Sequence, residues 1–252
     1  MRALILNGGP SRCGDTVDAL QRTFTQELTE NGWDVDPIVL RDLAIAYCQG
    51  EFDCCIATPG ICKINDAARD VARAYIQSDL VILLTPVTFG GYSAELKKAV
   101  DRFAFPLLSP PFTRVHGETH HPRRYRRYPR LVAVGVQPHA DAQSERIFRF
   151  LVARNALTMH APAHAVGVIT PQMEEYDIQA EVRRVLGAVN AVPDPARNGS
   201  VPEPRPRQPV IAADLPLTPA PDSLAQAAPP QRALLLVGSA RQMPSMSNSL
   251  GS

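Results

Sequence analysis

Residues 2–16 read Arg2-Ala-Leu-Ile-Leu-Asn7 and then Gly8-Gly-Pro-Ser-Arg-Cys-Gly-Asp-Thr16, and this junction decides the fold. Its first part is a short apolar run, which predicts a buried strand stopped by a glycine- and proline-rich turn. From Thr16 the apolar positions Val17, Leu20, Phe24 and Leu28 recur at helical spacing until Asn31-Gly32 supplies a stop. The unit is strand, loop, helix, and it repeats. Further strands are predicted near Val35–Leu40 and over Leu80–Thr85, Leu131–Val136 and Ala165–Ile169. Helices are predicted near Asp66–Ile76 and over Ser93–Phe103, Ala142–Arg154 and Ile178–Val189, so that five strands alternate with five helices. Fully apolar strands such as Leu80-Val-Ile-Leu-Leu84 belong in a parallel sheet covered on both faces, because each crossover lays its helix on one side. The expectation is a doubly wound α/β domain, whose ligands bind beyond the carboxyl ends of the strands near the switch in strand order. The loops after Asn7, Thr85 and Val136 are therefore the candidates.

The junction itself suits an anion. Unpaired backbone N–H groups and the helix dipole meet there, the glycines allow close approach, Ser11 and Thr16 offer hydroxyls, and Arg12 offers a cationic fork. The spacing matches neither the dinucleotide fingerprint G-x-G-x-x-G nor the nucleotide-hydrolase loop G-x-x-x-x-G-K-[ST].

Beyond the repeats, 45% hydrophobic and 20% charged residues in a 252-residue chain suit a globular protein with one full core and additional chain. The 26 basic residues nearly cancel the 25 acidic ones, so no global field selects nucleic acid or an anionic membrane. No signal-peptide order and no run near the roughly 20 apolar residues of a membrane span is present, which places the expectation in the cytoplasm. The organisation read from composition is a domain over 1–191, a Pro-rich linker over 192–231, and the start of a truncated second repeat over 232–252. That last piece, Arg232-Ala-Leu-Leu-Leu-Val-Gly-Ser-Ala-Arg241, mirrors the first strand and its loop.

The junction resembles the G-S-P-R-x-x-G-N-T phosphate loop of NADPH-dependent FMN reductases and iron–sulfur flavoproteins, both flavodoxin-like. Thr85-Pro-Val-Thr-Phe-Gly-Gly-Tyr-Ser-Ala-Glu-Leu-Lys-Lys-Ala-Val-Asp-Arg102 resembles their second flavin loop, and Cys48-Gln-Gly-Glu-Phe-Asp-Cys54 with Thr58-Pro-Gly60 and Cys62 resembles the cysteine segment of the iron–sulfur branch. The resemblance covers roughly residues 1–190 and implies a flavodoxin-like sheet. It implies that Ser11, Arg12, Gly14 and Thr16 hold the phosphate of FMN. Pro86, Val87, Thr88, Phe89, Gly90 and Gly91 would line the isoalloxazine ring, with Gly135 and Gln137 at its pyrimidine edge. Gly9 stands where the family usually has Ser, and Asp15 where it usually has Asn; Asp15 is expected to cap the helix and turn away from the phosphate. Thr88 replaces a frequent aromatic.

The implied activity is an oxidoreductase taking electrons from NAD(P)H through FMN to a quinone, flavin or other small acceptor, with no side chain doing acid–base chemistry. Two alternatives stand beside it: an electron-transfer flavoprotein without its own hydride donor, and a non-catalytic scaffold that has lost FMN. Similar reductases often complete their sites between subunits, so a homo-oligomer is expected.

A four-iron cluster needs four converging thiolates, and the family spacing of Cys48, position 51, Cys54 and Cys62 meets Glu51 at its second position. An iron–sulfur cluster is therefore not expected. Zinc on Cys48, Glu51, Cys54 and Cys62 is the other metal alternative, and the plain reading is a packing loop with cysteines as small apolar residues. The second long connection, His116-Gly-Glu-Thr-His-His-Pro-Arg-Arg-Tyr-Arg-Arg-Tyr-Pro-Arg130, concentrates three histidines and five arginines. It reads either as a partner for the 2′-phosphate of NADPH or as an intersubunit arm, with single-stranded nucleic acid a weaker option.

Overall fold

A computed structural model describes residues 1–10, 14–104, 106–110, 112–115 and 117–192, which fall in one compact unit. Ser11, Arg12, Cys13, His116, the side chain of Asp15, the expected linker from residue 193 onward and the expected second repeat lie outside the described residues.

The elements in chain order are β1 (Arg2–Asn7), α1 (Gly14–Glu30), β2 (Asp34–Val39), α2 (Ala68–Gln77), β3 (Leu80–Pro86), α3 (Ala94–Ala104), β4 (Thr113–Val115), β5 (Glu118–His120), β6 (Arg130–Val136), α4 (Ala142–Thr158), β7 (His164–Ile169) and α5 (Glu175–Asn190). Five strands form one parallel sheet in the order β2-β1-β3-β6-β7, the flavodoxin-like arrangement expected. The order reverses at β1, whose register joins Asn7 to Val39 of β2 on one side and to Leu84 of β3 on the other. Period-2 alternation sorts the strand residues between two cores. Leu4, Leu6, Val81, Leu83, Leu131 and Ala133 pack with α2, α3 and α4 on one face. Ala3, Ile5, Leu80, Ile82, Leu84, Val132 and Val134 pack with α1 and α5 on the other. The edge strand β2 carries Pro37, paired in register with Ile5, just after the acidic residues Asp34 and Asp36.

The predicted helix stop at Asn31-Gly32 takes a definite form. Gly32 is left-handed with φ +76°, its N–H donates to Thr29 O at 3.0 Å, and Trp33 N–H donates to Leu28 O at 3.0 Å, a Schellman closure.

Two of the departures from the sequence reading bear on the site's surroundings. The helix expected near Asp66 begins at Ala68, because the Asp66 carboxylate stays outside and accepts from Ala68 N at 3.1 Å. The long connection between α3 and β6 contains the antiparallel ribbon β4–β5, with Thr113 opposite His120 and Val115 opposite Glu118. Strands of three residues are too short to display a period.

The other long connection, between β2 and α2, is held to the body in part by a buried ion pair. Arg102 on α3 has no exposed side-chain surface and binds Asp66 through two bonds of 2.8 and 2.9 Å, while Asp66 is 14% exposed. The same guanidinium donates to Ala46 O at 2.8 Å and Ile64 O at 3.3 Å.

Candidate flavin site

The loops following β1, β3 and β6 are tied to one another by hydrogen bonds. Gly8 N donates to Leu84 O at 2.8 Å, and Ser93 Oγ donates to Gly8 O at 2.6 Å while accepting from Leu96 N at 3.2 Å, so that one hydroxyl caps α3 and anchors the first loop. Thr85 Oγ1 accepts from Ser93 N at 2.9 Å. Val87 N donates to Val136 O at 2.8 Å, joining the β3 loop to the end of β6. A Cβ on Gly8 would lie 2.7 Å from Leu96 Cβ, so this glycine serves the packing of the loop onto α3.

The β3 loop is a tight reversal. Thr88 and Gly91 exchange both backbone hydrogen bonds, at 3.0 and 2.8 Å, and the two residues between them, Phe89 and Gly90, have φ of +50° and +77°. Two successive positive φ angles are those of a type I′ turn, which favours Asn and Gly and disfavours a bulky side chain. Phe89 nevertheless occupies its first central position, with its residue surface 96% exposed. Gly90 has no such freedom, since a Cβ there would sit 2.6 Å from Ile147 Cβ on α4.

Of the residues expected from sequence, Gly14 and Thr16 open α1 beside the carboxyl end of β1, and Pro86–Gly91 follow β3. Gly135 and Gln137 stand at the end of β6, and both are engaged in packing. A Cβ on Gly135 would meet Val87 Cγ2 at 2.4 Å and Phe148 Cε1 at 2.9 Å, so Gly135 seats the β3 loop. The buried Gln137 amide donates to Asp141 O at 3.1 Å and shapes the loop in which Asp141 caps α4. The Asp141 carboxyl is held below its usual range by Ser144, whose hydroxyl and N–H both donate to it.

The sequence reading missed a polar network behind the first loop. Asn7, fully buried, accepts from Gly9 N at 2.8 Å and donates to Asp18 at 2.7 Å and Gln21 at 2.9 Å. Arg41, from the segment after β2, forms a bidentate pair with Asp18 and also donates to Gly9 O. A polar residue ending an otherwise apolar strand was the one available signal.

These three stitched loops belong to a chain whose residues 1–170 match the profile of NADPH-dependent FMN reductase. The chain belongs to the NADPH-dependent FMN reductase family. An iron–sulfur flavoprotein of Methanocaldococcus jannaschii is 32% identical over 102 residues, 40% of this chain and 51% of the relative. One from Archaeoglobus fulgidus is 30% identical over 102 residues, covering 40% and 45%. The chain thus spans about half the length of the curated relatives it matches. Among solved structures, an NAD(P)H:quinone oxidoreductase from Methanothermobacter marburgensis superposes with a TM-score of 0.55 at 15% identity, covering 81% of this chain and 99% of that one. An FMN-dependent NADH-azoreductase from Bacillus anthracis, solved with FMN, gives 0.53 at 12% identity, covering 75% and 97%. At these identities the structures bear on the fold alone.

FMN is the cofactor of the NADPH-dependent FMN reductases, and the residues present fit it. The 17-residue α1 follows β1 in the chain, the amino end of such a helix favours a phosphate, Thr16 lies in its first turn, and the Asp18 carboxylate is paired with Arg41. The β3 loop supplies the half-buried Pro86 and Val87, apolar residues that would wall the ring.

Cys54 and Cys55 are buried, Cys48 is exposed, and the four described cysteines are free thiols. Burial pushes the Cys54 thiol up to about 11. Glu51, at the position where the family spacing calls for a thiolate, is paired with Lys63 at 3.0 Å. Among the described residues no group of three or more His, Cys, Asp or Glu is arranged to hold a metal ion.

The His/Arg connection is bound to the body. Arg127 pairs with Asp79 at 2.7 Å, Tyr128 donates to Leu107 O, and Arg154 donates to Glu118 at 2.9 Å through Nη1. Arg154 and then His120 draw the Glu118 carboxyl down to about 2. Burial lowers the His160 imidazole below its usual value, and its Nε2 lies 2.8 Å from His121 O.

Proposed function

We propose that this chain is an FMN-dependent NAD(P)H oxidoreductase that passes reducing equivalents to a small acceptor such as a quinone or a free flavin. The observation that carries this reading is the joining of the loops after β1, β3 and β6 at the strand-order switch, on a chain of this family. Bound FMN supplies hydride chemistry at its ring, which side chains cannot provide. The chain's own work is to hold the phosphate at the amino end of α1, to wall the ring with Pro86 and Val87, and to present Phe89 at the rim.

Visible spectra of the purified full chain, before and after anaerobic NADH or NADPH, test this. Flavin bands that bleach with either donor are expected. Bands that persist with both donors would leave an electron-transfer flavoprotein instead, and a colourless protein that takes up no FMN would leave a scaffold.

Phe89 gives a second check. A phenylalanine kept in a left-handed turn costs of order 1 kcal/mol, and such strain is retained where it is used. Phe89→Gly is expected to raise the thermal midpoint by about 2–4 °C while lowering kcat/KM several-fold with a quinone acceptor. A variant with unchanged kcat/KM would remove Phe89 from the site.

The same proposal includes a homo-oligomer. Phe89, Ile147 and Phe150 are 96%, 45% and 68% exposed, and the turn bearing Phe89 packs on α4 at Ile147. The mass of the purified chain in light scattering reads this directly. A cytoplasmic setting goes with the use of a nicotinamide donor. Among the described residues no helix is long and apolar enough to cross a membrane.

A further inference from the structure

We propose that Arg41 is a positioning and charge-balancing residue of the phosphate site, without which the chain loses its preference for FMN over riboflavin. This rests on the flavin reading above. Three observations carry it.

The first is the position of Asp18. It lies on α1, four residues after Gly14, where the amino end of the helix is to face a phosphate. An unpaired carboxylate there opposes the attraction that the helix terminus exerts on an anion. The second is how completely Arg41 answers it. Its Nη1 and Nη2 lie 3.0 and 2.9 Å from the two carboxylate oxygens of Asp18, and the side chains are 22% and 27% exposed, so solvent screens the pair only in part. The hydrogen bond from Arg41 holds the Asp18 carboxyl below its ordinary range, and Asn7 adds to this. The other charged groups acting on the pair are Arg22, near Asp18, and Asp42, near Arg41.

The third observation concerns Gly9. Its N–H donates to Asn7 Oδ1 at 2.8 Å, and its C=O accepts from Arg41 Nη1 at 3.2 Å. Both peptide groups of a glycine, the residue with the widest conformational freedom, are therefore fixed by side chains. Asn7 is tied in turn to Asp18, the residue Arg41 grips, so the loop, α1 and the segment after β2 form one closed circuit.

The test is equilibrium binding by flavin fluorescence quenching, with the full chain freed of flavin and titrated separately with FMN and with riboflavin. The variants are Arg41→Gln, Arg41→Lys, Asp18→Asn and the double variant Arg41→Gln/Asp18→Asn. Arg41→Gln is expected to raise the FMN Kd by about tenfold or more and the riboflavin Kd by less than about twofold. Arg41→Lys, which keeps the charge and loses the bidentate grip, is expected to fall between wild type and Arg41→Gln. Removing the exposed carboxylate in the double variant is expected to restore at least half of the lost FMN preference on a logarithmic scale. Equal weakening of both flavins by Arg41→Gln and Arg41→Lys would show a structural role alone and overturn the proposal. So would an FMN preference that Asp18→Asn does not recover. A wild-type chain that binds riboflavin and FMN equally overturns the phosphate site itself, and one that binds neither overturns the flavin reading on which it rests.

Discussion

Arg102→Met is expected to destabilise the domain by about 3–5 kcal/mol, because it removes one partner of a buried ion pair and leaves the other uncompensated. Methionine preserves most of the apolar stem, so the loss reports on charge and hydrogen bonding. Four bonds leave the Arg102 guanidinium, two to Asp66 and one each to Ala46 O and Ile64 O. Asp66 keeps its backbone donors, Ala46 N at 2.9 Å and Ala68 N at 3.1 Å, which places the expected value toward the lower end.

The pH dependence carries the sharper signature. Burial raises the Asp66 carboxyl, but the bonds from Arg102 and the two backbone amides outweigh it, and the net shift is downward. A carboxyl depressed in the folded state contributes stability above its unfolded value of about 4, and that contribution disappears as pH falls through the folded value. The wild-type chain should therefore gain stability from Asp66 as pH rises through the acid range. Without Arg102 the burial effect is opposed by the backbone amides alone, so the folded carboxyl moves upward. If it passes the unfolded value, the folded state binds the extra proton and the gain reverses. Thermal midpoints between pH 3.5 and 6 for the two chains are expected to diverge as pH increases. Parallel curves would show that Asp66 is not governed by Arg102.

Gly135→Ala is expected to strip the chain of flavin before it unfolds it. The new Cβ would lie 2.4 Å from Val87 Cγ2 and 2.9 Å from Phe148 Cε1, distances that real methyl groups do not tolerate. Phe148 is fully buried in the core, whereas Val87 is half-buried on a loop, so Val87 moves. The displacement breaks the bond from Val87 N to Val136 O and shifts the apolar wall of the site. Overpacking of this kind costs about 1–3 kcal/mol. The flavin retained on purification should fall by at least about tenfold, in keeping with roughly 1.4 kcal/mol per decade of affinity. The companion variant Gly135→Ala/Val87→Ala removes the nearer clash and should recover much of both. A Gly135→Ala chain carrying a full complement of flavin would show that the β3 loop does not depend on this contact.

The parallel sheet was legible because β1, β3 and β6 are apolar on both faces, a pattern that few other architectures need. Boundaries moved where local chemistry overrode the period: Asp66 withdrew the start of α2, and Ala156-Leu157 carried α4 on to Thr158. The loops of the site were legible through glycine, proline and hydroxyl residues in fixed order. Their supports were not. Arg41 and Asp18 lie 23 residues apart on different elements, and no local pattern announces that they meet. Arg102 sits in an amphipathic helix, where a charged residue ordinarily faces water; its buried role depends on a loop from elsewhere in the chain. The packing of Gly135 against Val87 was not legible either, since a glycine records only that space is short and not who occupies it.

The proline in β2 bears on how copies of the chain can meet. An edge strand ordinarily offers a row of amides on which a foreign strand can crystallise, and that is the commonest route by which β-rich chains become fibres or swapped assemblies. Pro37 removes one amide from that row, and a proline is accepted in a sheet only where the missing donor faces outward. Asp34 lies three residues before it, so the edge is blunted by sterics and by charge against an identical partner. Self-association through this margin is suppressed, which leaves the opposite edge at β7, the helices and the turns as the surfaces on which identical subunits can assemble in an orderly way.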